Sequence, residues 1–247
     1  ITLKALGIGL GDEVITTALS WISTSETITQ TGARVVFVDI DPEFYTIDTS
    51  KIEEKITEKT KAIIPVHLYG HPANMTKIVS IAEKYDLKVI EDCAQAHFAQ
   101  WNNQKVGTFG IAGTFSFFPG KNLGAYGDAG CIITNNDELA VEMKRFASHG
   151  ALRKHDHKIE GINSRLDGIQ AAILSTKLPY IFGWNRKRYK NAILYNELLS
   201  NIQDIVIPQI HDNGKSVFHL YVIRVANRKQ LIQFLNKENF TVNYIIL

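Results

Sequence analysis

Short apolar runs alternate with amphipathic stretches along the first 150 residues of the chain. The runs are rich in β-branched residues and predict buried strands at 12–18, 33–40, 61–70, 87–94, 113–118 and 130–135. Between them, helical spacing or capping residues predict helices at 23–32, 49–60, 74–86 and 137–150, the last with Gly150 at its C′ position. Such alternation is typical of an α/β fold with a mainly parallel sheet and helices on both faces.

The last hundred residues have a different pattern. A long helical region is predicted at 164–200, with interruptions at Pro179 and Gly183. A strand at 218–225, a helix at 228–237 and a final strand follow. We expect a large domain over residues 1–182 and part of a small α+β domain over 183–247. The first residues read as the end of a helix and the last stop inside a strand, so we expect a fragment of a longer protein.

Composition excludes several classes of protein. The chain has 247 residues, of which 45% are hydrophobic and 21% charged, values that are ordinary for a globular enzyme. The net charge of +2 gives no electrostatic reason to expect nucleic acid or an anionic membrane as partner. No apolar run approaches the roughly 20 residues that a membrane span needs. The two cysteines, Cys93 and Cys131, suit a reducing compartment, and we expect the cytoplasm.

The candidate chemistry centres on Lys121, which lies in a glycine-rich turn between two apolar runs, "FSFFPGKNLGAYGDAGCIITN". A nucleotide P-loop would need five residues rather than seven from its first glycine to Gly120, and a Ser or Thr in place of Asn122. A surface lysine is the default for any single Lys. A lysine that bonds covalently to a carbonyl cofactor, most often pyridoxal phosphate (PLP), is the third reading.

PLP makes further demands that the sequence can meet. Its ring nitrogen needs a carboxylate, and Asp92 ends the strand at 87–94 on the edge where ligands of open α/β sheets bind. Trp21 could cover the ring, Gln95 could meet the ring hydroxyl, and Ser116 could bind the phosphate. Each of these residues has a more ordinary structural role, as a cap, a core side chain or a turn residue. Their order along an α/β chain makes a PLP site a stronger prediction than any one of these residues does alone.

Six separated segments carry a resemblance to a known family: "GIGLGDEVITTALSWISTSETI", "VDIDPEFYTID", "TKAIIPVHLYGHPANM", "VIEDCAQAHFA", "GTFSFFPGKNLGAYGDAG" and "GINSRLDGIQAAIL". In this order they resemble the DegT family of fold-type I, PLP-dependent aminotransferases. The resemblance runs from residue 5 to about residue 225. It implies that the chain transfers an amino group, usually from glutamate, to a keto sugar carried by a nucleotide, as in polysaccharide biosynthesis.

The resemblance also implies roles for individual residues. Lys121 bonds to the cofactor and moves the proton, Asp92 pairs with the ring nitrogen, Gln95 contacts the ring hydroxyl, Ser116 binds phosphate and Trp21 stacks on the ring. Asn163 resembles a residue that reaches the cofactor of the neighbouring subunit, which implies a homodimer with shared active sites. A related class that dehydrates sugars has His in place of the lysine, so Lys121 favours transamination.

The sequence departs from the family pattern in three places. The helix start that cradles the phosphate is absent, Phe98 stands where Gly is usual, and the His-Tyr-Pro-type segment is missing. These departures keep a rival open, a non-catalytic or inactive protein of the same fold that dimerises or regulates.

Two weaker candidates lie near this pattern. Arg165 could meet an acidic sugar or a phosphate, or equally make a salt bridge at a helix start. His149 belongs to the polar loop "SHGALRKHDH", which we place near the mouth of the site. That loop offers no clear third and fourth zinc ligand, so no metal is expected.

Overall fold

The computed structural model describes residues 1–244 and has an α/β architecture around one central sheet. Its helices and strands, in chain order, are α1 (Thr2–Ala5), β1 (Glu13–Thr17), α2 (Ser23–Thr29), β2 (Arg34–Val38), β3 (Thr60–Ile64), α3 (Met75–Lys84), β4 (Lys88–Asp92), β5 (Gln100–Trp101), β6 (Gln104–Lys105), β7 (Ala112–Ser116), β8 (Gly130–Ile133), α4 (Asp137–Ala147), α5 (Gly168–Lys177), α6 (Ile181–Leu199), β9 (Ile205–Val206), β10 (Gly214–Lys215), β11 (Arg224–Val225) and α7 (Arg228–Lys237).

The central sheet has the strand order β2-β1-β3-β4-β7-β8. The first five of these strands run parallel, and β8 pairs antiparallel with β7. The predicted mainly parallel sheet is therefore confirmed. Parallel strands end at a common edge, so the loops that follow β1, β4 and β7 lie on the same side of the molecule.

Successive residues of the strands face opposite sides of the sheet, and both sides are covered. Ile15, Ile63 and Val89 pack in one core cluster together with Met75 and other residues of α3. Their neighbours Val14, Ala62 and Ile90 pack in a second cluster, which includes Leu3 of α1 and Ile28 of α2. Each valine, leucine, isoleucine or methionine side chain that is removed from water in this way contributes about 1.5–3 kcal/mol, which explains the continuous apolar runs.

The prediction of a helix at 49–60 is wrong. The segment contains only two three-residue 3-10 turns, Thr49–Lys51 and Glu53–Lys55. Hydroxyl groups take the place of helical hydrogen bonds: Thr57 donates its hydroxyl proton to Glu13 over 2.7 Å, and the hydroxyl of Thr60 accepts from the amide of Thr57 over 2.9 Å. These side-chain bonds end the helical path before β3 begins.

Two helix boundaries also differ from prediction. Gly183 does not interrupt the helix but lies inside α6, where an exposed glycine costs only about 1 kcal/mol of stability. The predicted break at Pro179 is confirmed by a 3-10 turn at Leu178–Tyr180. After α4 the C′ position belongs to His149, not Gly150, and both have a left-handed φ, of 57° and 75°. Gly150 is needed because a Cβ there would lie 1.7 Å from the carbonyl oxygen of Ile159.

The strand predicted at 218–225 is limited to residues 224–225. Residues 217–220 instead cross a neighbouring loop, because Val217 and Leu220 donate their amides to the carbonyls of Gly70 and Tyr69. Phe218 has a φ of 43°, which no strand accommodates. The helix at 228–237 is confirmed, whereas residues 241–244 form no strand and the rest of the predicted final strand lies outside the described residues.

None of the helices described within residues 1–244 combines the length and the apolar content that crossing a membrane requires.

Candidate active site

The predicted site residues Asp92, Ser116 and Lys121 follow two neighbouring parallel strands. Asp92 is the last residue of β4, Ser116 is the last residue of β7, and the two strands pair with Asp92 opposite Thr114. Lys121 lies in the turn that follows β7. All three side chains are partly buried at the carboxyl edge of the sheet.

Both oxygens of the Asp92 carboxylate are held in place. The Thr24 hydroxyl donates to Oδ2 over 2.8 Å, and the backbone amide of Ala94 donates to Oδ1 over 3.1 Å. The hydroxyl of Ser20 lies 2.7 Å from that of Thr24. Each carboxylate oxygen can accept a further hydrogen bond, so Asp92 is held in one orientation and can still bind another donor.

The turn that carries Lys121 is closed by hydrogen bonds on both sides. The amide of Lys121 donates to the carbonyl of Phe118 over 2.8 Å, and that of Ala125 donates to Phe117 over 2.7 Å. Lys177 of α5 donates to the carbonyl of Gly124 over 2.6 Å. These bonds fix the backbone from which the Lys121 side chain extends.

The Lys121 amine has no hydrogen-bond or ion-pair partner within residues 1–244. Burial lowers its pKa from the usual 10.5, and the negative charge of Asp92 opposes part of that effect. A lysine whose pKa is lowered is neutral more often near pH 7, and a neutral amine can attack a carbonyl or accept a proton.

Gln95 has a fixed amide orientation. Its Oε1 accepts a hydrogen bond from the backbone amide of Tyr69 over 2.6 Å. Because a backbone amide can only donate, the Oε1 atom must face Tyr69 and the Nε2 group faces the other way as a donor. Tyr69 itself has a left-handed φ of 59° in the turn after β3.

Ser116, Asn163 and Arg165 line one cleft at the end of β7 and β8. The Ser116 hydroxyl accepts from the amide of Phe118 over 3.3 Å, which leaves its own proton available. Asn163 and Arg165 are exposed, and Arg165 donates its Nε proton to Asn163 Oδ1 over 2.9 Å. The helix-start salt bridge considered for Arg165 is not among the ion pairs of the described residues.

Trp21 and His149 are placed differently from these residues. Trp21 is 65% exposed and lines a separate surface pocket with Phe37, although Thr24 in the same pocket reaches Asp92. His149 is exposed after α4, and its carbonyl lies 2.8 Å from Nδ1 of His157. Neither side chain contacts Lys121 or Asp92 through a hydrogen bond in the described part of the chain.

Phe98 adopts the left-handed conformation that favours glycine, with a φ of 66°. Its ring does not crowd the loop after Gln95, because it turns toward α6 and lies 4.8 Å from the ring of Phe182. The Nζ atom of Lys105 lies 5.5 Å from the Phe98 ring centre. This packing accommodates the bulky residue at a glycine-like position.

A buried cluster of His67, Glu91 and Cys93 has metal-binding residue types, but its geometry is that of a structural network. Glu91 accepts hydrogen bonds from three backbone amides, those of residues 107, 109 and 110, at 2.7, 2.7 and 2.9 Å. His67 Nδ1 accepts from the amide of Ala73 over 3.0 Å, so the proton is on Nε2, which donates to Glu91 over 3.1 Å. The lone pairs of His67 and Glu91 that a metal would need are already used in these hydrogen bonds.

Sequence reasoning missed four polar residues around the Lys121 turn: Thr24, Asn122, Asn185 and His219. Thr24 orients Asp92, and the other three form a buried hydrogen-bonded chain beside Lys121. Asn122 follows Lys121 directly in the sequence, which was a signal that could have been read. Asn185 and His219 lie 63 and 97 residues further along and give no local signal.

The chain is similar over most of its length to several known proteins. The model of the DegT/DnrJ/EryC1/StrS aminotransferase family matches residues 1–245. A "pleiotropic regulatory protein" of Geobacillus stearothermophilus is 50% identical over 240 residues, which are 96% of this chain and 64% of that protein. A UDP-N-acetyl-3-dehydro-alpha-D-glucosamine 3-aminotransferase of Acidithiobacillus ferrooxidans is 44% identical over 238 residues, with the same two coverages, 96% and 64%.

Among solved structures, NtdA from Bacillus subtilis with bound cofactor PMP superimposes with a TM-score of 0.88 at 38% identity. The match covers 96% of this chain and 55% of that one. The chain thus spans less than two thirds of the length of these three proteins.

Proposed function

The chain belongs to the DegT/DnrJ/EryC1/StrS aminotransferase family, and on that premise we propose that it aminates a nucleotide-linked keto sugar with PLP as cofactor. The observation that carries the proposal is the pair Lys121 and Asp92 at one sheet edge: an amine with a lowered pKa and no partner among residues 1–244, and an oriented carboxylate. The amino donor is proposed to be an amino acid, glutamate as in most of the family.

The residues at this edge fit PLP group by group. The Lys121 amine can bond to the carbonyl carbon of the cofactor, and the Asp92 carboxylate can hold the proton on the ring nitrogen. The Nε2 group of Gln95 is oriented as a donor for the ring hydroxyl, and the free proton of Ser116 can go to the phosphate. The relative with bound PMP, the amino form of PLP, supports this choice of cofactor.

When bound, PLP withdraws electrons from the substrate carbon and so makes the adjacent C–H bond acidic. The work of the chain is to hold the cofactor and to move that proton. Lys121 does the second task, because burial lowers the pKa of its amine and so favours the neutral form, which can accept the proton and return it at a different atom. Asp92 maintains the charge on the ring, and Thr24 keeps the carboxylate in position for it.

We further propose a homodimer with shared active sites in the cytoplasm. Asn163 and Arg165 are exposed at the start of the segment that leads into α5, where Leu166 and Ile169 are 40% and 76% exposed. This apolar exposure beside two polar side chains supports a subunit interface. Asn163 would then reach the cofactor phosphate of the neighbouring subunit, while Trp21, exposed in one subunit, would stack on the cofactor ring.

Arg165 and His149 are proposed to contact the substrate, whose diphosphate and sugar groups offer oxygen atoms to a guanidinium or an imidazole. We also propose that the cofactor site belongs mainly to a large domain over residues 1–182, and that a small domain begins at residue 183.

A non-catalytic, regulatory function is the second candidate, and the name of the Geobacillus relative favours it. The two candidates are separated by incubating the purified chain with PLP, L-glutamate and a panel of UDP- and dTDP-linked 3-keto sugars. We expect an amino sugar, detected by mass spectrometry, from the wild type and none from Lys121→Ala. The exposed Lys187→Ala in α6 serves as control. Wild-type turnover by Lys121→Ala would refute the catalytic proposal, and PLP binding without turnover by either protein would support the regulatory one.

A further inference from the structure

Two hydroxyl groups in the connection between β1 and β2 form a chain of hydrogen bonds that ends on Asp92. The Ser20 hydroxyl lies 2.7 Å from the Thr24 hydroxyl. The Thr24 hydroxyl in turn donates to Oδ2 of Asp92 over 2.8 Å. Ser20 follows β1 and Asp92 ends β4, so the chain crosses between two loops at the carboxyl edge of the sheet.

The carboxylate fixes the direction of both bonds. A carboxylate can only accept, so the one proton of the Thr24 hydroxyl goes to Asp92. The Thr24 oxygen must then accept the bond from Ser20, and the Ser20 hydroxyl is its donor. Both protons therefore point along the chain toward Asp92.

Thr24 depends on Ser20 for this donor because the surroundings offer little water. The Thr24 side chain is 5% exposed, so a water molecule cannot readily take the place of the Ser20 hydroxyl. Consecutive hydrogen bonds in a protein interior polarise one another, so the Ser20 proton strengthens the bond from Thr24 to Asp92. The hydroxyl of Ser25, in the same turn, donates to the carbonyl of Ile22 over 3.0 Å and is not part of the chain.

Thr24 is also bonded to Trp21. Its backbone amide donates to the carbonyl of Trp21 over 3.1 Å. Trp21 thus lies within a loop, residues 20–24, that is closed by this bond and by the pair of hydroxyl groups. One residue therefore connects Trp21, proposed to stack on the cofactor ring, with Asp92, proposed to hold the ring nitrogen.

Resting on the proposed function, we propose that Ser20 is a positioning residue of the cofactor site, which directs the Thr24 hydroxyl at Asp92 and closes the loop that carries Trp21. Asp92 and Trp21 are then held together through Thr24. A change at Ser20 is expected to affect both cofactor contacts, although Ser20 itself contacts only Thr24 among the residues of this chain of hydrogen bonds.

The first test needs neither cofactor nor sugar. The exchange of the Thr24 hydroxyl proton with water is measured on the ¹³C-labelled 247-residue chain at pH 7, from the deuterium isotope shift of the Thr24 Cβ signal in mixed H₂O and D₂O. We expect exchange in Ser20→Ala to be roughly threefold to tenfold faster than in the wild type, which corresponds to the loss of one hydrogen bond. Ser20→Thr retains a hydroxyl and should restore slow exchange.

Ser25→Ala is the matched control, because it removes a hydroxyl of the same turn that donates to Ile22 and not to Thr24. It should leave the exchange rate of the Thr24 hydroxyl unchanged. Equal rates in the wild type and Ser20→Ala, or equal acceleration by Ser20→Ala and Ser25→Ala, would overturn the inference whether or not the chain proves to be an aminotransferase.

The second test measures whether Ser20 acts on the cofactor site through the loop of Trp21. PLP affinity is determined by titration at the cofactor absorbance for the wild type, Ser20→Ala, Ser20→Thr, Trp21→Leu and the double variant of Ser20→Ala with Trp21→Leu. We expect roughly threefold weaker binding by Ser20→Ala and recovery in Ser20→Thr. Because both residues act through one loop, the double variant should lose less affinity than the product of the two single losses.

The outcomes of this titration separate the inference from the proposed function. Wild-type affinity in Ser20→Ala, or single losses that multiply in the double variant, would overturn the role of Ser20 while PLP binding itself stands. Absence of PLP binding by the wild type would refute the proposed function and, with it, the role of Ser20 at a cofactor.

Discussion

Thr24 in α2 donates its hydroxyl proton to Oδ2 of Asp92 in β4, over 2.8 Å and across 68 residues of sequence. The bond links the helix that follows β1 to the carboxylate that the proposed cofactor needs. Thr24 is 5% exposed, so no water replaces the bond easily. The orientation of Asp92 therefore depends on Thr24, which lies in the connection between β1 and β2, far from β4 in the sequence.

Thr24→Val removes this hydroxyl at nearly constant volume. A hydrogen bond to a charged group contributes about 1.5–3 kcal/mol, so we expect cofactor binding roughly tenfold weaker or more, measured by PLP titration at the cofactor absorbance. Thr27→Val is the control, since within residues 1–244 the Thr27 hydroxyl donates to the carbonyl of Thr24 and not to Asp92. PLP affinity equal to the wild type in Thr24→Val would mean that Asp92 is held by other groups.

Glu91→Gln should destabilise the fold by about 3 kcal/mol, measured by urea unfolding. The fully buried carboxylate accepts hydrogen bonds from three backbone amides and from the His67 ring. The glutamine side chain would instead point its own NH₂ donors at some of these donors. The control is Glu54→Gln, which changes an exposed glutamate paired with Lys55 over 3.3 Å. Its free energy of unfolding should stay within about 0.5 kcal/mol of the wild-type value. Equal stability of the two variants would contradict this account of Glu91.

The contribution of Glu91 depends on pH in a defined direction. Burial raises its pKa, but His67 and the amides of Gly107 and Gly110 outweigh that effect, and the net pKa is lower than the usual 4.5. The folded state then binds fewer protons than the unfolded state, so the stabilisation is complete above the usual pKa of 4.5 and is lost as the pH falls through the lower, folded value. The stability gap between wild type and Glu91→Gln should therefore narrow below about pH 4.

Two glycines of the Lys121 turn differ in the space around them. A Cβ on Gly124 would lie 2.4 Å from the carbonyl oxygen of Pro119, whereas one on Gly120 would only touch the Phe118 ring at 3.8 Å. We expect Gly124→Ala to destabilise the protein by about 2 kcal/mol, a drop of roughly 4–8 °C in Tm, because the turn must open. The Tm of Gly120→Ala should stay within about 2 °C of the wild-type Tm. A similar Tm for both variants in differential scanning calorimetry would contradict the rigid turn described here.

The sheet and the positions of Asp92 and Lys121 at its carboxyl edge were predictable because local patterns encode them. Continuous apolar runs identified the parallel strands, and Asp92 and Lys121 follow from their positions after β4 and β7. The network of Asn122, Asn185 and His219 was not predictable, because asparagines and histidines far apart in sequence have no local signature. Only the folded chain shows that they are hydrogen-bonded.

Turns and short elements were also hard to read from the sequence. The helix expected at 49–60 fails because threonine hydroxyls compete with helical hydrogen bonds, an effect that periodicity does not detect. The hairpin of β5 and β6 was missed, although Asn102 and Asn103 at its turn, with φ values of 48° and 64°, are residue types that tolerate this conformation.

The most direct measurement of the central claim is to locate the lysine that bonds to PLP. The chain is incubated with PLP, the covalent bond is reduced with borohydride, and the modified peptide is sequenced by mass spectrometry. The account predicts one modified residue, Lys121, and loss of that modification in Lys121→Ala. Stoichiometric modification of another lysine, with Lys121 unmodified, would contradict it.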